Sequence, residues 1–149
     1  MNDHALIAIR NFRRLDALLA TAGQPTEEQL RAVAIAGFRS VINLALPTST
    51  GALLDERASV TALGMEYVHI PVDFAAPTAT DYAKFTAELV ARPGQTVFIH
   101  CAANWRVSAF MALYRVNTLG WNREAAFAEL HQVWEPDAVW SRFLDEQLK

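Results

Sequence analysis

The sequence has 149 residues, the length of one domain with a full hydrophobic core. Hydrophobic residues make up 52% and charged residues 19%, which excludes a disordered chain, and the net charge of -3 gives no reason to expect nucleic acid or an acidic membrane as a partner. The one cysteine excludes an internal disulfide and suits a reducing compartment. The N-terminus lacks a signal-peptide pattern and no apolar stretch is long enough for a membrane span. We therefore expect a single cytoplasmic domain over residues 1–149.

Four β-rich segments are predicted along the chain. The first is weak and falls within residues 15–21, and three almost continuously apolar runs follow at residues 38–46, 65–72 and 96–100. Strands that are apolar on both faces are typical of a sheet that helices cover on both sides.

Helical patterns lie between and after these strands. Thr26 and Gln29 form a capping-box pattern, and Gly37 fits the end of the helix that they begin. Further helices are predicted at residues 53–63, from a Thr80 cap to residues 93–94, at 106–119, at 122–134 and from 136 towards 148. This order predicts an α/β fold, a three-layer sandwich in which a mostly parallel sheet of four to five strands is flanked by helices.

The strongest chemical signal lies between His100 and Ser108, where the last predicted strand passes through a short loop into a helix. Backbone N–H groups in such a loop, together with the N-terminus of the next helix, can form a nest that binds an anion. Cys101 at the start of the loop would face this positive field, which stabilises the reactive thiolate. Arg106 supplies a guanidinium whose donors match two oxygens of a phosphate.

The four residues inside the loop fit such a nest and are the predicted substrate-binding residues. Ala102 and Ala103 are small enough to let the backbone curl, and Asn104 tolerates the positive φ of a tight turn. The large ring of Trp105 would lie at the rim, where it could stack on an aryl substrate or narrow the entrance.

A lone cysteine at the end of a strand is more often a small buried hydrophobe than a nucleophile. The flanking histidine, the arginine five positions on and the change from strand to helix favour the catalytic interpretation here. The four histidines of the chain are scattered without the spacing of a metal site, so we expect no metal and no cofactor.

The loop resembles the His-Cys-x5-Arg-Ser/Thr signature of protein tyrosine and dual-specificity phosphatases. It departs from that signature because four residues, rather than five, separate Cys101 from Arg106. This spacing is closer to a bacterial branch of the superfamily, the beta-lactamase-hydrolase-like phosphatase domains, whose loop has the pattern Cys-x-x-Gly-x-Arg, with Asn104 here in place of the glycine. Three further segments resemble landmarks of that branch, at residues 22–30, 37–44 and 64–71.

The resemblance implies hydrolysis of phosphate monoesters through a cysteinyl-phosphate on Cys101, with the phosphate oxygens held by Arg106 and the loop N–H groups. The substrate would be a phosphorylated protein or a small phosphorylated molecule. The leaving oxygen also needs an acid. Asp73, which follows a predicted strand at a suitable distance upstream of Cys101, is our choice, and Asp81 is the runner-up.

The same resemblance implies two supporting roles. His100 would orient the loop and tune the thiolate. Ser108 falls at the family's Ser/Thr position when counted from Cys101, and its hydroxyl would donate to the thiolate. Gln24 and Asn43, at junctions of strand and loop, are weaker candidates for lining the pocket.

Two other functions stay open on the sequence alone. A rhodanese-like sulfurtransferase also places a cysteine in a short loop between a strand and a helix, and a shorter loop suits a persulfide or a smaller oxyanion. The early Arg106, with Asn104 in place of glycine and the bulky Trp105, could instead leave a module that binds phosphate or another oxyanion and turns it over poorly.

Overall fold

A computed structural model describes residues 3–149, which form five strands and six helices. The strands are β1 (Arg13–Arg14), β2 (Leu19–Ala22), β3 (Ser40–Asn43), β4 (Glu66–His69) and β5 (Val97–His100). The helices are α1 (Glu27–Ile35), α2 (Glu56–Ala62), α3 (Ala79–Val90), α4 (Trp105–Asn117), α5 (Arg123–His131) and α6 (Ala138–Gln147). The strands lie in one sheet in the order β1-β2-β5-β3-β4, and every neighbouring pair is parallel except β1 with β2. The predicted α/β fold with a mostly parallel sheet is confirmed.

Helices cover both faces of this sheet because successive side chains of a strand point in opposite directions. One buried cluster joins α1 and α2 to the sheet through Leu30, Val33, Val60, Val41 and Phe98. A second cluster joins α3, α4 and α6 to the opposite face through Phe85, Phe110, Trp140, Ile42 and Ile99. Within residues 3–149, every helix is too short or too polar to cross a membrane.

Local hydrogen bonds set the starts of the helices. The predicted capping box of α1 is present, since the Thr26 hydroxyl accepts from the Gln29 N–H and the Gln29 side chain accepts from the Thr26 N–H. The predicted Thr80 cap of α3 is wrong. Thr78 caps that helix, because its hydroxyl accepts from the N–H of Asp81 and the Asp81 carboxylate accepts in return from the N–H of Thr78.

The first part of the sheet differs from the prediction within residues 15–21. The carboxylate of Asp16 accepts from the N–H groups of Leu18 and Leu19, which makes a turn where a strand was expected. Strand β2 begins at Leu19, where this turn ends, so its first three residues lie in the predicted range, and the unpredicted β1 pairs with it in antiparallel orientation. The β1 strand is two arginines long and has no apolar alternation to reveal it.

The parallel strands β2, β5 and β3 end together, because Ala22 and Asn43 are both in register with His100. The loop predicted to perform the chemistry leaves β5 at this edge. In parallel α/β sheets, ligands bind beyond the carboxyl ends of the strands, so the topology places the loop where a binding site is expected.

Candidate active site

The loop after β5 joins His100 to Trp105, the first residue of α4. Asn104 precedes that helix in the left-handed conformation, with φ 68° and ψ 6°, as its residue type had suggested. Its side chain does not cap the helix. The Asn104 Nδ2 instead donates to the Asn11 carbonyl at 2.9 Å and to the Thr21 hydroxyl at 3.0 Å, which holds the turn against β2 and the segment before β1.

Neighbouring segments also hold the carbonyl groups of the loop. The Gln24 N–H donates to the Ala102 carbonyl at 3.0 Å, and Asn11 Nδ2 donates to the Ala103 carbonyl at 2.9 Å. Gly23 lies so close that a Cβ there would be 2.6 Å from the Ala102 oxygen. The two ends of a trans peptide point in opposite directions. The N–H of Ala103 therefore points away from Gln24, which is the orientation that an anion nest requires.

Cys101 and Arg106 are both buried, with exposed fractions of 0% and 5%. Arg106 Nη1 donates to the Val72 carbonyl at 2.9 Å, and Nη2 lies 3.5 Å from the Ser49 hydroxyl. The Nε of Arg106 is buried as well and has no hydrogen-bond partner among residues 3–149. A buried donor without a partner is costly unless a ligand supplies an acceptor.

Asp73 lies between two residues that contact Arg106. Val72 accepts a hydrogen bond from the guanidinium, and the ring centroid of Phe74 lies 5.9 Å from its central carbon. Asp73 itself is exposed, and its Oδ1 accepts a backbone N–H two residues on at 2.9 Å. The runner-up Asp81 is already used as the acidic partner in the capping box of α3. Asp73 thus belongs to the segment that contacts the Arg106 guanidinium.

An aromatic cluster forms the rim beside the loop. Trp105 is 38% exposed, and its ring stacks on that of Trp134 with centroids 4.9 Å apart and planes 2° apart. The ring of Phe74 lies against both, at 5.8 Å and 5.6 Å. Trp140 Nε1 donates to the Phe74 carbonyl at 2.8 Å. The C-terminal helices therefore support the segment that contains Asp73.

The Ser108 hydroxyl donates to the Trp105 carbonyl at 3.1 Å within the first turn of α4. A hydrogen bond to the Cys101 sulfur would require this bond to break. In the phosphatase signature the Ser/Thr directly follows the arginine, whereas here Val107, which has no hydroxyl, follows Arg106.

Of the two weaker candidates, Gln24 is hydrogen-bonded to the loop through its backbone N–H. The Asn43 side chain donates to the Tyr67 hydroxyl at 3.0 Å and accepts from the Ala45 N–H at 2.8 Å. No group of three or more side chains with metal-binding chemistry occurs in the described part of the chain.

His100 is fully buried against Glu56, a residue that was not predicted. Its Nε2 lies 2.6 Å from Glu56 Oε2 and its Nδ1 lies 3.1 Å from the Cys101 carbonyl. Gln24 Nε2 donates to the other carboxylate oxygen at 2.8 Å. Burial alone would raise the pKa of Glu56, but the hydrogen bonds from His100 and Gln24 and the charge of His100 lower it below its ordinary value of 4.5. An acidic residue in the first turn of a helix is common at the surface, so nothing in the sequence pattern indicates this buried contact.

Known proteins match the chain in both sequence and structure. A family model described as a DSP-PTPase phosphatase fused to NAD+ kinase matches residues 10–137. A DUF442 protein from Shewanella putrefaciens CN-32 is 33% identical over 98% of this chain and 96% of that chain, with a TM-score of 0.86. No curated protein matches the chain.

Two more distant structures share the fold. TpbA of P. aeruginosa, in complex with pTyr, is 18% identical over 92% of this chain and 87% of that chain, with a TM-score of 0.71. PTPMT1, in complex with PI(5)P, is 20% identical over 91% of this chain and 93% of that chain, with a TM-score of 0.77. The matches do not favour the sulfurtransferase or the non-catalytic module. The chain belongs to the cysteine-dependent phosphatase superfamily, and it is a phosphoric monoester hydrolase of the protein tyrosine and dual-specificity type.

Proposed function

We propose that Cys101 is the nucleophile of this phosphatase and that Arg106 binds the phosphate together with the N–H groups of residues 102–106. The main support is the buried guanidinium of Arg106, whose Nε lacks a partner, on a helix that starts four residues after a buried cysteine. Charge-assisted hydrogen bonds from a guanidinium to a phosphate are strong and often bidentate. A phosphate oxygen on Nε would remove the cost of burying that donor.

In the proposed reaction, the Cys101 thiolate attacks phosphorus, and a sulfur–phosphorus bond forms while the ester phosphorus–oxygen bond breaks. Asp73 gives its proton to the leaving oxygen. Water then attacks the cysteinyl-phosphate and loses a proton to the Asp73 carboxylate, which releases inorganic phosphate and the thiolate. Arg106 and the loop N–H groups stabilise the charge on the three equatorial oxygens in both steps.

His100 and Ser108 have supporting roles in this proposal. His100 holds the Cys101 carbonyl through Nδ1. The Ser108 hydroxyl rotates away from the Trp105 carbonyl and donates to the sulfur when the thiolate leaves phosphorus. Ala102, Ala103, Asn104 and Trp105 complete the phosphate-binding loop.

The proposed substrate is a phosphorylated protein or a small phosphorylated molecule, and aryl phosphates fit the rim best. The exposed ring of Trp105, backed by Trp134 and Phe74, offers an aromatic wall on which an aryl group can stack. The pTyr of the TpbA complex and the PI(5)P of the PTPMT1 complex support a phosphate attached to either a protein side chain or a smaller molecule.

We propose one phosphatase-like domain over residues 1–149, with the cytoplasm as its compartment. The family match over residues 10–137 and the nearly complete overlap with the Shewanella protein support the single domain. A catalytic cysteine works only in its reduced form, which supports a reducing compartment.

The proposal is tested with Cys101→Ser and Arg106→Lys and with p-nitrophenyl phosphate as substrate. Cys101→Ser should abolish turnover and still bind inorganic phosphate, because the loop and the guanidinium are unchanged. Arg106→Lys should weaken phosphate binding, since an ammonium cannot keep the fork of donors. A fully active Cys101→Ser enzyme would contradict the mechanism, and so would thiocyanate release from thiosulfate and cyanide without any phosphatase turnover.

A further inference from the structure

We propose that Glu56 is a positioning residue of the catalytic loop. Its carboxylate fixes the orientation of two successive peptide groups, the one between Cys101 and Ala102 and the one between Ala102 and Ala103. The inference rests on the proposed binding of phosphate by the N–H groups of this loop. It assigns a task to a buried acid that takes no part in the bond-breaking steps described above.

The first connection runs through His100. A carbonyl oxygen can only accept, so the contact between His100 Nδ1 and the Cys101 oxygen requires a proton on Nδ1. The Glu56 carboxylate, 2.6 Å from Nε2, holds the ring in the orientation that makes this hydrogen bond possible. With the Cys101 carbonyl fixed on His100, the N–H of Ala102 at the other end of the same peptide points the opposite way, towards the proposed phosphate.

The second connection runs through Gln24. Its Nε2 donates to Glu56 Oε1 at 2.8 Å and to the Pro25 carbonyl at 2.9 Å, so two hydrogen bonds fix the side-chain amide. The backbone N–H of the same residue donates to the Ala102 carbonyl at 3.0 Å. The N–H of Ala103 is therefore directed away from Gln24 by the same peptide rule. The two oxygens of the Glu56 carboxylate therefore bind His100 and Gln24, one oxygen for each residue. These two residues in turn bind the carbonyls of Cys101 and Ala102.

The burial of Glu56 favours a specific role. Only 7% of the residue is exposed, and both carboxylate oxygens are used. Burying a carboxylate is expensive unless it is fully hydrogen-bonded, and the N-terminus of α2 is already capped by Asp55. The titratable or charged groups around Glu56 are His100 of β5, His69 and Tyr67 of β4, and Asp55 and Arg57 at the start of α2.

Binding of inorganic phosphate, measured by calorimetry in a Cys101→Ser background, tests the inference without depending on turnover. Glu56→Ala removes both connections, and we expect phosphate to bind about 100-fold more weakly, as misplaced groups typically cost. Glu56→Gln keeps an acceptor for His100, but its amide nitrogen cannot accept from Gln24 Nε2, which the hydrogen bond to Pro25 holds in place. This variant should bind phosphate with an affinity between those of the parent and Glu56→Ala.

Asp55→Asn is the matched control, because it removes a carboxylate one residue away and keeps a side chain that caps α2. It should bind phosphate as the parent does. A pH series adds a readout that a purely structural role would not change. Parental binding should fall as Glu56 is protonated below pH 4.5, relative to Glu56→Gln, which has no such group.

The outcomes separate the two proposals. A Glu56→Ala protein that is folded and binds phosphate like its parent would overturn the role of Glu56. If Glu56→Ala does not fold, an unchanged ratio of parental to Glu56→Gln binding across the pH series would overturn it. Absence of phosphate binding in the Cys101→Ser parent would instead contradict the proposed phosphate site itself.

Discussion

The carbonyl oxygen of Ala102 fills the space beside Gly23, where an added Cβ would lie only 2.6 Å from it. Both groups belong to backbone that is hydrogen-bonded on either side, so neither can move without displacing the loop. We expect Gly23→Ala to lower kcat/KM for p-nitrophenyl phosphate about 100-fold, because small displacements of a catalytic loop have large effects on rate.

Gly94→Ala is the control for this substitution. Gly94 has φ 70° and no atom within 4 Å of an added Cβ, and it lies in the turn before β5, on the side of that strand far from the loop. The change should cost about 1 kcal/mol of unfolding free energy and leave kcat/KM unaltered. Equal activity losses in the two variants would show that Gly23 acts only through overall stability.

Removing the proposed acid should affect poor leaving groups most. Asp73→Asn cannot protonate the leaving oxygen, so we expect turnover of phenyl phosphate to fall about 100-fold, with a much smaller fall for p-nitrophenyl phosphate, whose leaving group needs little help. Asp81→Asn is the matched variant and keeps a side-chain oxygen for the capping box of α3. If the dependence on the leaving group followed Asp81 instead, that residue would be the acid.

The left-handed turn at Asn104 makes a prediction about stability. Asn104→Ala and Asn104→Gly both lose the hydrogen bonds to Asn11 and Thr21. Only alanine also has to hold φ 68° with a Cβ, which costs about 1 kcal/mol. In urea unfolding, the free energy of unfolding of Asn104→Ala should therefore be lower than that of Asn104→Gly by that amount. Equal free energies would show that the turn relaxes in the variants.

The lowered pKa of Glu56 predicts how stability depends on pH. A carboxyl group whose pKa is lower in the folded than in the unfolded protein stabilises the fold above its unfolded value, and this contribution disappears as the pH falls through the folded value. The advantage in unfolding free energy of the wild type over Glu56→Gln should therefore be full above pH 4.5 and shrink below it. Chemical unfolding of both proteins over a pH series measures this difference. A difference that grows on acidification would mean that the carboxylate is not stabilised by its partners.

Local patterns in the sequence predicted those parts of the fold that depend on local physics. Strand β3 was recognisable because Val41 and Ile42 are both apolar and enter clusters on opposite faces of the sheet. The turn at Asn104 followed from its residue type, and the helix that starts beside Arg106 followed from the change of pattern after β5. Each of these depends on a few neighbouring residues.

Features that depend on residues distant in the chain could not be predicted from local sequence patterns. Strand β1 exists only as the partner of β2, and its two arginines have no pattern of their own. Glu56 meets His100 across 44 positions of the chain, through the packing of α2 against the sheet, so its spacing in the sequence has no relation to the site. Asp73 lies beside two contacts of Arg106 because the segment after β4 packs against the start of α4, which its spacing in the sequence does not show.

The stacked pair of Trp105 and Trp134 makes intrinsic tryptophan fluorescence a probe of the loop. One indole belongs to the residue immediately before Arg106, and the other lies in the segment after α5. The emission of an indole depends on the groups packed around it, so an oxyanion that shifts the start of α4 will change the intrinsic fluorescence. Filling and emptying of the loop can then be followed in real time on the unlabelled enzyme. Trp121, which lies in the connection between α4 and α5 and packs on Arg115, serves as a constant background.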